Sequence, residues 1–130
     1  MAIPLEDSFS DIVGKAMRGL KFTDAHVAEV AGVTPDAIHR LRDGEWDETV
    51  ARKIAPILGL KAEALADLGN RAWTPSPVSI EGLAQFNTAF EDMTVNAYLV
   101  WNPASKEAVA FDTGSDVSGQ LELIAIAMPL

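Results

Sequence analysis

The segment that most constrains the fold is TDAHVAEVAGVTPDAIHRLRDGE, residues 23–45. A helix that begins after Thr23 is expected to end at Gly32, because glycine tolerates the left-handed backbone found at helix C-termini. Thr34 and Pro35 start a new helix at once, since a capping hydroxyl precedes a proline at the first helical position. The sequence therefore predicts two short helices joined by a tight turn, and helices this short need packing partners.

The flanking sequence supplies those partners. Apolar residues recur at helical spacing from Phe9 to Leu20, directly after Ser8, a candidate N-cap. A fourth helix is predicted from Val50 to Leu58, with its last turn disturbed by Pro56, and a short fifth helix spans residues 62–68. Residues 1–70 are thus predicted to form a five-helix bundle, followed by a linker over 71–79.

The residues of this part also match a known pattern in order and spacing. They are Thr23, Val27, Ala28, Ala31, Gly32, Val33, Thr34, Ile38, Arg40, Leu41, Gly44 and Glu45, followed by residues 53–55, 58–60 and Leu65. On these positions residues 8–69 resemble the Cro/C1-type (XRE-like) helix-turn-helix domain. The resemblance implies a lambda-repressor-like bundle whose third helix enters the major groove of DNA.

The third helix is predicted to have one core face and one outward face. Ile38 and Leu41 share the core face by the 3.6-residue period, and His39 and Arg40 lie opposite them. A bundle that buries Ile38 and Leu41 would therefore hold His39 and Arg40 toward a ligand. The alternative to ligand binding is that this outward face is in contact with solvent only. The predicted DNA-binding residues are Thr23, Thr34, Asp36, His39, Arg40 and Arg42.

These candidates have different predicted roles. His39 and Arg40 are the candidates for base-edge contact, and the two threonines are caps whose neighbouring N–H groups can also meet phosphate. Asp36 can accept a hydrogen bond from cytosine N4 but repels phosphate. Arg42 has three open roles: compensating Asp36, pairing with Glu45 or touching phosphate. At the helix starts where the family often has neutral donors, this chain has Asp24 and Pro35, and Asp36 follows Pro35.

Charge limits which part of the chain can bind DNA. The net charge is −9 at pH 7, with 12 acidic and 9 basic residues up to residue 72 but 7 acidic residues and a single base after it. Phosphate attracts cations, so any DNA contact must come from the first part. The chain has no cysteine and shows neither a signal-peptide pattern nor a membrane-span pattern, and we expect a cytoplasmic protein.

The second part, residues 80–130, is predicted to be a small α/β segment. Strands are expected at Gln85–Phe90 and Val95–Trp101 and in EAVAFD, with NPASKE as a hairpin turn and a short helix beginning at Asp116 or Ser118. The whole chain is thus predicted to be α+β. So few elements bury little surface, and we expect this part to mediate self-association.

Seven residues of the second part carry another resemblance: Asn96, Tyr98, Leu99, Val100, Asp112, Thr113 and Gly114. On them it resembles the opening of the metallo-β-lactamase fold, in its glyoxalase II-like branch, with Asp112 as a structural acid near the metal-site loop. The family's chemistry needs a histidine-rich motif, and the only histidines here are His26 and His39. The resemblance therefore implies a truncated piece of the fold, with no catalysis, metal or cofactor.

Three functions remain open from the sequence. The first is a dimeric, sequence-specific DNA-binding module of a transcriptional regulator. The second is the N-terminal fragment of a metallo-β-lactamase-fold hydrolase without its metal site. The third is a protein-interaction module that keeps the helix-turn-helix scaffold without binding DNA.

Overall fold

The computed structural model describes residues 5–91 and 93–127. Within them the protein has six helices and one three-stranded antiparallel sheet, which confirms the predicted α+β class. The chain forms two compact units, and the boundary between them along the sequence falls between Thr74 and Pro75, inside the predicted linker. Leu5 and Glu6 belong to the second unit, although the sequence placed them with the helical part. None of the described helices is both long and apolar enough to cross a membrane.

The first unit contains five helices with three predicted caps. They are α1 (Phe9–Leu20), α2 (Asp24–Ala31), α3 (Pro35–Arg42), α4 (Glu48–Ile54) and α5 (Ala62–Gly69). Ser8, Thr23 and Thr34 cap the first three helices through their hydroxyl oxygens. The fourth helix ends at Ile54, two residues before Pro56, as a proline within a helical pattern requires. These local signals set where the helices begin and end.

The core of the first unit collects one face from each helix. Val13, Val27, Ile38, Leu41 and Ile54 are fully buried, with no measurable exposure. They come from α1 to α4, and Leu65 of α5 completes the same cluster. A contiguous apolar core of this kind holds short helices that would not be stable alone.

The second unit is a meander followed by one helix. Its strands are β1 (Leu83–Phe90), β2 (Met93–Trp101) and β3 (Ala108–Phe111), in that order across the sheet, and α6 (Ser118–Ala127) follows. The register pairs Phe86 with Ala97, and Tyr98 with Phe111. The main-chain N–H of Asn96 donates to the Glu6 carboxylate, which ties the beginning of the described chain to this sheet.

The two faces of the sheet differ in burial. Ala97 and Leu99 are buried on one face, and α6 lies on that side, where a Cβ at Gly119 would be 3.2 Å from the Phe86 ring. The opposite face is apolar but exposed. We call it the open sheet face, and it consists of Tyr98, Val100, Val109 and Phe111, with 36% to 57% of each residue exposed.

Candidate nucleic-acid interface

The turn between α2 and α3 sets the position of α3. Gly32 has φ 65°, and the N–H of Val33 donates to the carbonyl of Ala28 at 3.0 Å, which closes the end of α2. Thr34 follows directly as the N-cap of α3, accepting from the N–H of Ala37 at 3.2 Å. The two helices are therefore separated by only three residues, and α3 packs against α1, α2 and α4.

Burial of one face of α3 fixes which side chains point outward. Ile38 and Leu41 are fully buried in the core. On the opposite face the side chains of Asp36, His39 and Arg40 are 73%, 62% and 55% exposed. The structure thus brings three of the predicted DNA-binding residues together on one exposed helix face.

Carboxylates stand beside the Arg40 guanidinium. Arg40 Nε is 3.1 Å from Asp36 Oδ2, one turn earlier in α3, and Arg40 Nη1 is 3.9 Å from Glu45 Oε2. The first contact is a close ion pair between exposed side chains. The second is longer than a hydrogen bond. The charge of Arg40 is thus partly offset on its Nε side.

Asp24 of α2 connects to two candidates on α3. Arg42 Nη1 donates to Asp24 Oδ1 at 2.6 Å, and His39 Nδ1 is 3.9 Å from Asp24 Oδ2. His39 Nε2 is also 3.3 Å from Asp43 Oδ2. The Asp24 side chain is only 25% exposed, so its bond to Arg42 is a bridge between helices more than a surface contact.

Sequence reasoning did not identify this bridge. The sequence left Arg42 to compensate Asp36, to pair with Glu45 or to touch phosphate, and the structure pairs it with Asp24 instead. The two partners are 18 positions apart, and only the packing of α3 on α2 brings them together. The one sequence feature that could have indicated this pair is an acid at the start of α2 followed by an arginine at the end of α3.

Thr23 and Thr34 lie at the starts of successive helices, where their hydroxyls serve the protein's own backbone. Thr23 Oγ1 accepts from the N–H of His26 at 3.2 Å, just as Thr34 does for α3. Both threonines therefore act first as caps. Their predicted phosphate contacts would have to use the remaining N–H groups of the first helical turns.

The sequence also did not predict a network of polar side chains around α4 and α5. Trp46 Nε1 donates to Asn70 Oδ1 at 2.8 Å, and Asn70 Nδ2 donates to Glu48 Oε2 at 2.8 Å. Arg52 then binds Glu48 through Nε at 2.7 Å and Glu63 through Nη1 at 2.7 Å. The network joins α4 to α5 and fixes the indole of Trp46, whose ring centroid lies 4.8 Å from that of Phe9.

These contacts shift the pKa values of the two glutamates. The hydrogen bond from Asn70, followed by that from Arg52, lowers the pKa of Glu48 below its ordinary value. The hydrogen bond from Arg52 lowers the pKa of Glu63, and the two carboxylates in turn raise the pKa of Arg52. All three groups are therefore held in their charged forms near neutral pH.

The connection after β3 contains the predicted Asp-Thr-Gly sequence. Asp112 Oδ1 accepts from the N–H groups of Thr113 and Gly114 at 2.6 and 2.8 Å, and Ser115 donates to Thr88 Oγ1 at 2.9 Å. The Asp112 carboxylate thus stabilises the loop in which it lies. In the part of the chain that the structure describes, no group of three metal-ligating side chains comes together.

No family model matches the sequence, and no curated protein matches it. Three solved structures overlap with it: FeII HppE with substrate, CoII HppE with substrate, and CoII HppE with Tris buffer, at 16%, 17% and 18% sequence identity. Each has a TM-score of 0.39, and the chain spans about three fifths of their length. A likeness of this size carries no argument about fold or activity.

Proposed function

We propose that the protein is a sequence-specific DNA-binding module of a transcriptional regulator, with α2 and α3 as a helix-turn-helix and α3 as the helix that enters the major groove. The carrying observation is that α3 buries Ile38 and Leu41 while His39 and Arg40 face outward. A short, capped turn places α2 as the brace behind it. This is the arrangement that groove-reading helices use.

The contacts of α3 divide the candidate residues by role. Arg40 and His39 are exposed in the last turn of α3 and are the candidates for contact with base edges. Arg42 instead bridges to Asp24, so it holds α3 on α2 rather than meeting phosphate. Thr23 and Thr34 cap the two helices and leave first-turn N–H groups for the DNA backbone.

The charge distribution implies modest affinity. Both arginines of α3 lie beside carboxylates, and the whole chain carries −9. Few phosphates can be neutralised, and each such contact adds about 0.9 to the slope of log K against log salt. Binding should therefore be measured at low ionic strength, where the few cationic contacts are screened least.

A titration of labelled genomic DNA fragments by fluorescence anisotropy tests this function. We expect saturable binding at low salt that weakens as salt rises, and Arg40→Ala should weaken binding to selected sites more than to random duplex. Lys61→Ala removes one positive charge from the start of α5, away from α3, and serves as the matched control. Equal losses on both kinds of DNA would make Arg40 a phosphate contact only.

The paired cations favour a second candidate function. Arg40 stands beside Asp36 and Arg42 beside Asp24, so the exposed face of α3 presents carboxylates together with arginines. Such a face suits a protein partner that offers both charges. An absence of any DNA binding at low salt, with the protein folded, would favour this protein-interaction module over the DNA-binding one.

The second unit is proposed to join two copies of the protein. The open sheet face is exposed and apolar, and β3 has neither a charged residue nor a proline along its unpaired edge. Edges and faces of this kind pair readily with another copy of themselves. A two-fold dimer would carry two copies of α3, which suits the recognition of two half-sites.

A further inference from the structure

The Arg40 guanidinium has its close ion-pair partner on one side, at Nε. Its Nε lies 3.1 Å from Asp36 Oδ2, while Nη1 is 3.9 Å from Glu45 Oε2, beyond hydrogen-bond distance. In the part of the chain that the structure describes, no hydrogen bond engages the Nη atoms of Arg40. The outer end of the fork, with its two N–H pairs, therefore stays available to a ligand.

The chemistry of that end selects one base. Two parallel N–H donors match two adjacent acceptors, and guanine presents such a pair, O6 and N7, in the major groove. Adenine and cytosine each place a donor on their major-groove edge, and thymine places a methyl group beside its single acceptor. A guanidinium that approaches through its Nη end therefore distinguishes guanine from the other three bases.

The neighbouring carboxylate argues against phosphate as the partner of Arg40. A phosphate contact gains most from an uncompensated cation, and Asp36 offsets the charge of Arg40 and repels phosphate itself. A base edge is uncharged, so the same carboxylate does not weaken that contact. As the ion-pair partner on the Nε side, it favours an approach of the guanidinium through its Nη end.

We propose that Arg40 and Asp36 act as one unit that reads a guanine in the major groove, with Arg40 contacting the base and Asp36 as a positioning residue. The proposal rests on the proposed DNA-binding function and specifies what α3 recognises. Asp36 then has opposite effects on the affinity for DNA and on the preference for one base. Asp36 lowers affinity for any duplex by repulsion and raises discrimination by orienting Arg40.

The experiment selects duplexes from a random library with the full chain at low salt and measures their affinities. The selected site is then compared with versions in which one guanine becomes adenine or 7-deazaguanine, which lacks the N7 acceptor. We expect each change at one fixed guanine to weaken binding on the order of fivefold or more. Arg40→Ala should bind the three duplexes equally.

Asp36→Asn separates positioning from repulsion. This variant should bind random duplex more tightly than the native protein, while its preference for guanine over adenine at the fixed position falls. Asp43→Asn is the control, because it removes the same charge from the C-cap of the same helix but its carboxylate lies beside His39 instead of Arg40. It should raise random-duplex affinity and keep the guanine preference. Circular dichroism establishes that each variant is folded.

Four results would overturn the proposal. If Asp36→Asn keeps the full guanine preference, Asp36 only repels phosphate and positions nothing. If it loses a cytosine preference at a neighbouring position instead, Asp36 contacts that base directly. If the selected duplexes show no guanine whose N7 matters to Arg40, the base assignment fails while DNA binding stands. If no duplex binds at all, the DNA-binding function itself is wrong.

Discussion

Gly69 shows how a single residue fixes the surroundings of Trp46. A Cβ at this position would lie 2.3 Å from three atoms of the indole ring, closer than real Cβ contacts allow. The ring cannot move freely, because its Nε1 donates a hydrogen bond to Asn70 and the ring packs against Phe9 in a T-shaped contact. At this scale the sequence names the residues but does not show that the last residue of α5 must be a glycine.

We predict that Gly69→Ala lowers the free energy of unfolding by about 1–3 kcal/mol, the usual cost of forcing extra atoms into a packed site. Gly19→Ala is the matched control, since a Cβ there meets nothing within 4 Å and Gly19 lies inside α1. That change should stabilise the protein by roughly 0.5–1 kcal/mol, because alanine is the better helix former. Urea unfolding followed by circular dichroism measures both, and effects of the same sign would contradict the packing account.

At the scale of elements, ion pairs between charged side chains join α4 to α5. Arg52 binds Glu48 four residues earlier in α4 and Glu63 in the first turn of α5. Both carboxylates are solvated, so the contribution of each pair to stability is small and depends on ionisation. The lowered pKa values mean that the folded state binds protons less readily than the unfolded state.

This predicts a specific dependence of stability on pH. The contribution of Glu48 and Glu63 is fully present above their ordinary pKa of 4.5 and is lost as the pH falls through their lowered folded-state values. Arg52→Met removes the cause of much of this shift. The native protein should melt at a higher temperature than Arg52→Met near neutral pH, and the difference should shrink steadily below about pH 4.

Thermal unfolding between neutral pH and strong acid checks this prediction. The other acids with lowered pKa values, Asp11 and Asp116, are shifted mainly by hydrogen bonds from Ser8 and Ser118. They therefore titrate alike in both proteins and cancel in the comparison. A difference in melting temperature that does not change with pH would show that Arg52 contributes by packing alone.

The whole molecule is uneven in how its two units bury apolar surface. Thirteen buried apolar residues belong to the first unit, but the described part of the second unit has only Ala97 and Leu99. Its helix α6 also exposes Leu121, Ile124 and Ile126. A unit with so small a core needs further apolar contacts, and this supports the proposal that a second copy covers the open sheet face.

We predict that the full chain sediments as a dimer at micromolar concentration and that Val109→Lys combined with Phe111→Lys makes it a monomer. Both side chains are 57% exposed on β3, so the change adds charge to the open sheet face without emptying the core. Val30→Lys is the control, because Val30 is 56% exposed in the first unit. A monomeric native protein, or equal behaviour of the two variants, would contradict association through the second unit.

The sequence alone determined the starts of α1, α2 and α3, the hairpin and the outward face of α3. Capping hydroxyls, prolines, glycines and apolar periods act through residues that are close together in the sequence. The capping roles of Ser8, Thr34 and Gly32 can therefore be predicted without the tertiary structure. The identification as a helix-turn-helix, and the resemblance of the second part to a hydrolase fold, remain predictions.

Only the tertiary structure decided which polar side chains that are distant in sequence meet. Asp24 and Arg42 are 18 residues apart, and Trp46 and Asn70 are 24 apart, so no local pattern pairs them. Electrostatic attraction has no preferred sequence separation, and each cation had several acids available. Packing of α3 on α2, and of α5 beside Trp46, determined which of them pair and left the Arg40 side chain 55% exposed.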